Sequence, residues 1–116
     1  MNLALTTRTM GDVAVIHCGG KLIFQKEAAA LCDVVSDMVR RYRSVVVDLH
    51  DVGAIDGGGI GTLAECIRNA KAAGVRLVLC RVPQKVKTLL DLTQVSTMVD
   101  IAGSENDALE RSRAAA

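Results

Sequence analysis

Few residues in this chain offer chemistry. They are two histidines, His17 and His50, four cysteines, and the stretch Asp56-Gly57-Gly58-Gly59 with Thr62 just beyond it. A Cys66–His50 pair would be the nucleophile and base of an enzyme. Cys66, however, falls inside a helical pattern beside the apolar Ile67, where an inert thiol is expected. His17 sits in an alternating stretch and reads as a half-exposed strand residue. The four thiols, Cys18, Cys32, Cys66 and Cys80, have neither CxxC nor zinc-knuckle spacing. Each lies in an apolar segment, so free, packed thiols are expected. No paired acid and base and no metal-ligand spacing is visible, which points to a binding module without cofactor rather than an enzyme.

Asp56 and its glycines remain. After them Ile60, Leu63, Ala64 and Ile67 recur at helical spacing. Asp56 therefore stands at the head of a helix whose first turn is nearly bare backbone. Exposed N–H groups and the positive dipole end make such a turn suited to recognition. Three glycines imply a turn needing positive φ or close backbone approach, a side-chain-free surface for a partner, or both. Gly59-Ile60-Gly61-Thr62-Leu63-Ala64 also fits the dinucleotide pattern G-x-G-x-x-A. Two features oppose that reading. Seven residues separate Leu49 from Gly57, and the next strand ends in Cys80-Arg81 without an acid for the ribose. Binding of a phosphate or nucleotide at this helix start would need converging basic side chains.

The elements that hold this turn can be read in order. Leu3–Arg8 and Val13–Cys18 are two strands around the turn Gly11-Asp12, with Gly19-Gly20 ending the second. Ala14, Ile16 and Cys18 share one face; Val13, Val15 and His17 share the other. Ala28, Leu31, Val35, Met38 and Tyr42 form one stripe of a helix from about Gln25 to Tyr42. Arg40, Arg41 and Arg43 gather at its end, where the dipole favours cations. Ser44–Leu49 is a β-branched run expected to be a central strand buried on both faces. The Asp56 helix follows to about Ala73 and is closed by Gly74. Val75–Arg81 is a strand, Pro83–Thr93 a helix with Pro83 at its first position, and Met98–Ile101 a short strand. Ser104 and Asp107 cap a last helix from Glu105 to about Arg113, and the Ala114-Ala115-Ala116 tail is expected to fray. The order ββαβαβαβα gives a single α/β domain. It has a four- to five-stranded mixed sheet with helices mainly on one side.

Composition agrees with this fold. The chain has 116 residues, 50% apolar and 23% charged, with one Tyr, one Phe and no Trp. A net charge of +1 without a basic tract excludes the usual nucleic-acid reader. Met1-Asn2-Leu3-Ala4-Leu5 lacks the start of a secretory signal, and no apolar run approaches the ~20 residues of a spanning helix. A cytoplasmic protein without direct membrane insertion is expected.

Taken together, Val45-Val46-Val47-Asp48-Leu49 through Asp56-Gly57-Gly58-Gly59-Ile60-Gly61 resembles the signature of STAS domains, the anti-sigma factor antagonist family. In that family an apolar strand ends in Asp-Leu and leads to Asp-Ser-Ser-Gly-Leu-Gly. Gly20-Lys21-Leu22 and Ala73-Gly74-Val75-Arg76-Leu77-Val78-Leu79 resemble further family segments, and the likeness covers nearly the whole chain in order. The resemblance implies a non-enzymatic partner-switching module of transcription regulation. Its partner would be an anti-sigma factor that is also a serine kinase. Its partner-binding residues would be Asp56, Gly57, Gly58, Gly59 and Thr62. The family's phosphoacceptor, the second Ser, falls on Gly58, which cannot be phosphorylated; Thr62 is the nearest hydroxyl and the alternative acceptor. Relatives without the acceptor imply other roles: a STAS subunit of a membrane lipid transporter, a signalling assembly, or a nucleotide- or anion-binding STAS domain. Homodimerisation stays open.

Overall fold

In a computed structural model, which describes residues 3–114, β1 (Leu3–Met10) and β2 (Val13–Leu22) form an antiparallel hairpin. The hairpin turns at Gly11, whose φ of 61° suits glycine. Helix α1 (Phe24–Arg41) then crosses to β3 (Ser44–Ile55), α2 (Gly57–Ala72) to β4 (Arg76–Cys80), and α3 (Gln84–Leu92) to β5 (Asp100–Ala102). Helix α4 (Glu105–Ala114) ends the chain. The sheet order is β1-β2-β3-β4-β5, with every pair after the hairpin parallel.

The physical centre is the first half of β3. Ser44 to Leu49 are all buried, and the strand is paired on both edges. Alternation divides its side chains between two layers. Val45, Val47 and Leu49 join Ile16, Leu31 and Leu63 beneath α1, α2 and α3. Val46 joins Val15, Val78 and Leu109 beneath α4 alone. Each such side chain contributes about 1.5–3 kcal/mol when buried, which makes this aromatic-poor core sufficient. The expected α1 stripe is present: Ala28, Leu31, Val35 and Met38 are buried. Gly74 closes α2 with φ 73°. Its N–H donates to the Lys71 carbonyl and that of Val75 to Ala70, both orphan acceptors of the last turn.

Several boundaries differ from expectation, each for a local reason. β2 does not end at Gly19-Gly20. The glycines absorb two register shifts against β3, Gly20 at φ 98°, and pairing continues to Leu22. β3 continues past Leu49 to Ile55, because its late half pairs with this extension of β2. Pro83 flanks α3 instead of opening it; its ψ of 149° is extended. Met98 closes a 3-10 turn, Val95–Met98, and the last strand begins at Asp100. Ser104 caps α4 through the Asp107 N–H as expected. Of the tail expected to fray, Ala115 and Ala116 lie outside the described residues. Among the described residues no helix is long and apolar enough to cross a membrane.

All four cysteines are free thiols. Burial, reinforced by the Asp48 charge, pushes the Cys18 thiol up to about 12 and that of Cys80 up to about 11 from an ordinary 9.0. Cys66 is raised too, by burial first and then by its hydrogen bond with the Cys32 thiol. The folded state thus holds protons that the unfolded chain releases above pH 9. The corresponding stability is complete below the ordinary thiol value of 9.0 and is lost as pH rises toward about 12. Urea midpoints should stay level from pH 7 to 8.5 and fall by pH 10. Alkylation of unreduced native protein should modify the half-buried Cys32 first, and mass spectrometry after unfolding should count four thiols.

Candidate functional site

Asp56 connects β3 to α2. Its backbone is extended, and its carboxylate accepts the Gly59 N–H at 2.8 Å, while its carbonyl accepts that of Ile60. This is a side-chain N-cap, worth about 1 kcal/mol. Gly57 and Gly58 are exposed and Gly59 is buried. All three lie in the first turn of α2 and none has positive φ, so that reason for the glycines is removed. Close approach is the reason at one of them. A Cβ on Gly59 would stand 2.0 Å from the Leu22 carbonyl oxygen and 3.0 Å from the Ile55 side chain. The end of β2 packs against the start of α2 through this missing side chain. At Gly57 and Gly61 a Cβ would meet nothing within 4 Å. Thr62, half-buried, donates its hydroxyl to the Gly58 carbonyl at 3.0 Å. The structure therefore brings Asp56, Gly57, Gly58, Gly59 and Thr62 together on one helix start, with an exposed two-glycine step between polar side chains.

The dinucleotide pattern meets a different obstacle in the structure. Because β3 runs to Ile55, the glycines follow the strand end directly, and the spacing objection falls. Gly59 nevertheless admits the chain's own Leu22 carbonyl, where a phosphate-binding glycine would face ligand. β4 still ends in Cys80-Arg81.

A second cluster lies on the α4 face of the sheet, and sequence reasoning did not assemble it. Asp48 is buried, with a side chain only 1% exposed. One carboxylate oxygen receives the Arg81 guanidinium through Nε at 3.0 Å and Nη2 at 2.7 Å, and lies 3.3 Å from His17 Nδ1. The other accepts the His50 N–H at 2.9 Å. His17 Nε2 lies 3.3 Å from Glu105 of α4, and Glu105 also pairs with Arg8 of β1. Arg81 holds φ at 50°, a left-handed conformation costly for a non-glycine residue, and its two bonds to Asp48 help to hold it there. The chain Arg81–Asp48–His17–Glu105–Arg8 thus ties four strands or strand ends to α4. His17 is half-exposed, as read, but it is not a simple surface residue. Alternation had put it on the face of Val13 and Val15; its partners are 31 and 88 residues away and carry no local signal. His50 and Cys66 do not form an enzyme's pair: Cys66 is buried against Cys32, and His50 is exposed.

The model of the STAS domain matches residues 4–108. The candidate anti-sigma factor antagonist TM1081 of Thermotoga maritima superposes with a TM-score of 0.84 at 22% identity, over 94% of each chain. The Bacillus anti-sigma factor antagonist SpoIIAA, in its unphosphorylated form, gives 0.77 at 17% identity, over 96% of this chain and 97% of its own. The murine anion transporter Slc26a9 gives 0.75 at 16% identity; 97% of this chain covers 22% of it. At these identities the structural likeness establishes the fold.

The helix start makes a sharp stability prediction. Gly59→Ala should lower the free energy of unfolding by about 1–3 kcal/mol, because the Leu22 backbone has to move. Gly61→Ala, with open space and helical φ, should raise it by about 0.5–1 kcal/mol. Urea denaturation of the two variants beside the parent checks both signs. Equal effects would show that Gly59 is not packed as described.

Proposed function

The chain belongs to the STAS domain family, and from that premise we propose that it is a non-enzymatic, cytoplasmic partner-binding module of the anti-sigma factor antagonist kind. Its partner is a serine-kinase-type anti-sigma factor, and its docking residues are Asp56, Gly57, Gly58, Gly59 and Thr62. The observation that carries the reading is the form of the α2 start. Gly57 and Gly58 are exposed at a capped helix N-terminus, where helix geometry leaves N–H groups without intrahelical partners. A partner's backbone or acidic side chain can reach this surface without meeting a side chain.

Gly58 stands where the family carries its phosphoacceptor serine, and glycine has no hydroxyl. The module is therefore constitutively competent, without a phosphate switch at Gly57 or Gly58. Thr62 is a poor substitute, since its hydroxyl is bonded back to the Gly58 carbonyl. A second reading is favoured by the likeness to the anion transporter Slc26a9: a STAS subunit of a transporter assembly.

Titration calorimetry against the kinase-type anti-sigma factor of the same genome tests the first reading. The parent should bind. Gly58→Asp should weaken binding by about 1–3 kcal/mol, because it places an unpaired charge in the interface. Gly58→Ser should bind nearly as the parent does, since Gly58 has right-handed helical backbone that any residue can adopt, and it should become a substrate for the kinase. Undiminished binding by Gly58→Asp would remove the turn from the interface and favour the transporter reading.

A further inference from the structure

Three helices pack on one face of the sheet, whereas α4 covers the other alone. Its anchors are few. Ala108 and Leu109 press on Val15, Val46 and Val78. The Ser44 hydroxyl donates to the Ser112 carbonyl at 3.3 Å, and Arg111 donates to the Ile101 carbonyl at 3.2 Å. At its other end, Glu105, the first residue of α4, is held by His17 and Arg8. A helix of ten residues is below the length that is stable alone in water, so α4 persists because it is docked.

We propose that doubly protonated His17 is a clamp that holds α4 to the sheet, and that loss of the ring proton loosens α4 and uncovers the apolar sheet face beneath it. The geometry is specific. Each ring nitrogen lies 3.3 Å from a carboxylate oxygen, Nδ1 from buried Asp48 and Nε2 from Glu105. Only an imidazolium can donate at both nitrogens; a neutral ring turns a lone pair toward one carboxylate. Asp48 is fixed by Arg81 and by the His50 N–H, so the strain of a neutral ring falls on the Glu105 side, where the helix begins.

Charged and titratable groups surround His17 on every element packed against it. From β1 it is flanked by Arg8, from β3 by Asp48 and, two residues further on, the exposed His50, from β4 by Arg81 and the Cys80 thiol, and from α4 by Glu105. β5 contributes no charge here, since Asp100 pairs with Arg76. The guanidiniums keep their charge throughout, and the Cys80 thiol, pushed up to about 11, stays neutral. Raising the pH can only remove the second ring proton. The sign follows: α4 is docked at low pH and loosened as pH rises.

The test is amide hydrogen exchange of the full chain at pH 6 and pH 8, corrected for intrinsic rates, with nitrogen NMR of the His17 ring. Protection of the α4 amides 108–112 should fall at least fivefold from pH 6 to pH 8, while that of Val45–Val47 changes little. The ring should carry protons on both nitrogens at pH 6. His17→Gln should show the low α4 protection at both pH values. His17→Arg, whose charge is permanent and whose fork can reach both carboxylates, should keep the high value at both. The proposal is overturned if the ring is a single neutral tautomer at pH 6, if parent protection does not change, or if His17→Gln retains the dependence. The donor atoms of His17, Asp48 and Glu105 lie within 4.8 Å of one another. Stoichiometric zinc uptake that His17→Gln abolishes would therefore also overturn it, by assigning the three side chains to a metal.

Discussion

The fold depends on one strand being enclosed on every side. Ser44 to Leu49 is hydrogen-bonded along both edges and covered on both faces, so each of its side chains has to suit a layer. Valines meet that constraint at little entropic cost. Asp48 does not, and its presence compels the rest of the charge cluster. A buried carboxylate is tolerable only when its oxygens are matched, and here three donors from two chain segments converge on it, with the His17 ring 3.3 Å away. The left-handed backbone of Arg81 and the position of His17 make sense as consequences of that need.

The other half of β3 obeys a different constraint. Beyond His50 the strand loses its cover and its exposure begins to alternate, yet it keeps its pairing with the extended end of β2. That pairing carries Leu22 to the place where α2 begins. Helix and strand then meet across Gly59, whose lack of a side chain fixes how the exposed first turn is presented. Of the consecutive glycines, this one is set by the interior of the protein. Gly57 meets no such restriction, so packing does not account for it.

Much of this was legible in the sequence because the signals were local. The apolar run at Val45–Leu49, the stripe of α1, the Gly74 stop, the Ser104 cap and the Asp56-led helix start each follow from neighbouring residues. Strand ends were less legible. Nothing near Gly19-Gly20 says that pairing resumes, because the partner segment, Asp51–Ile55, lies a helix away. The charge cluster was least legible for the same reason. An aspartate at the end of an apolar run announces a buried charge, but its partners at 17, 81 and 105 are joined to it only by the topology.

The two borders of the sheet are unequal. β5 is three residues long, while β1 is eight residues long and lies on the outside, exposed for most of its length. A long open border is a template on which another chain could extend the ladder, and so a route to aggregation. β1 counters it with Thr6, Thr7, Arg8 and Thr9, all exposed, and spends its Leu3 and Leu5 inward against the core. Arg8 serves twice, as a charged guard on that border and as the outer member of the cluster that reaches α4. Replacing it with an apolar residue would thus do two kinds of harm at once, baring the border while slackening the helix on the adjoining face.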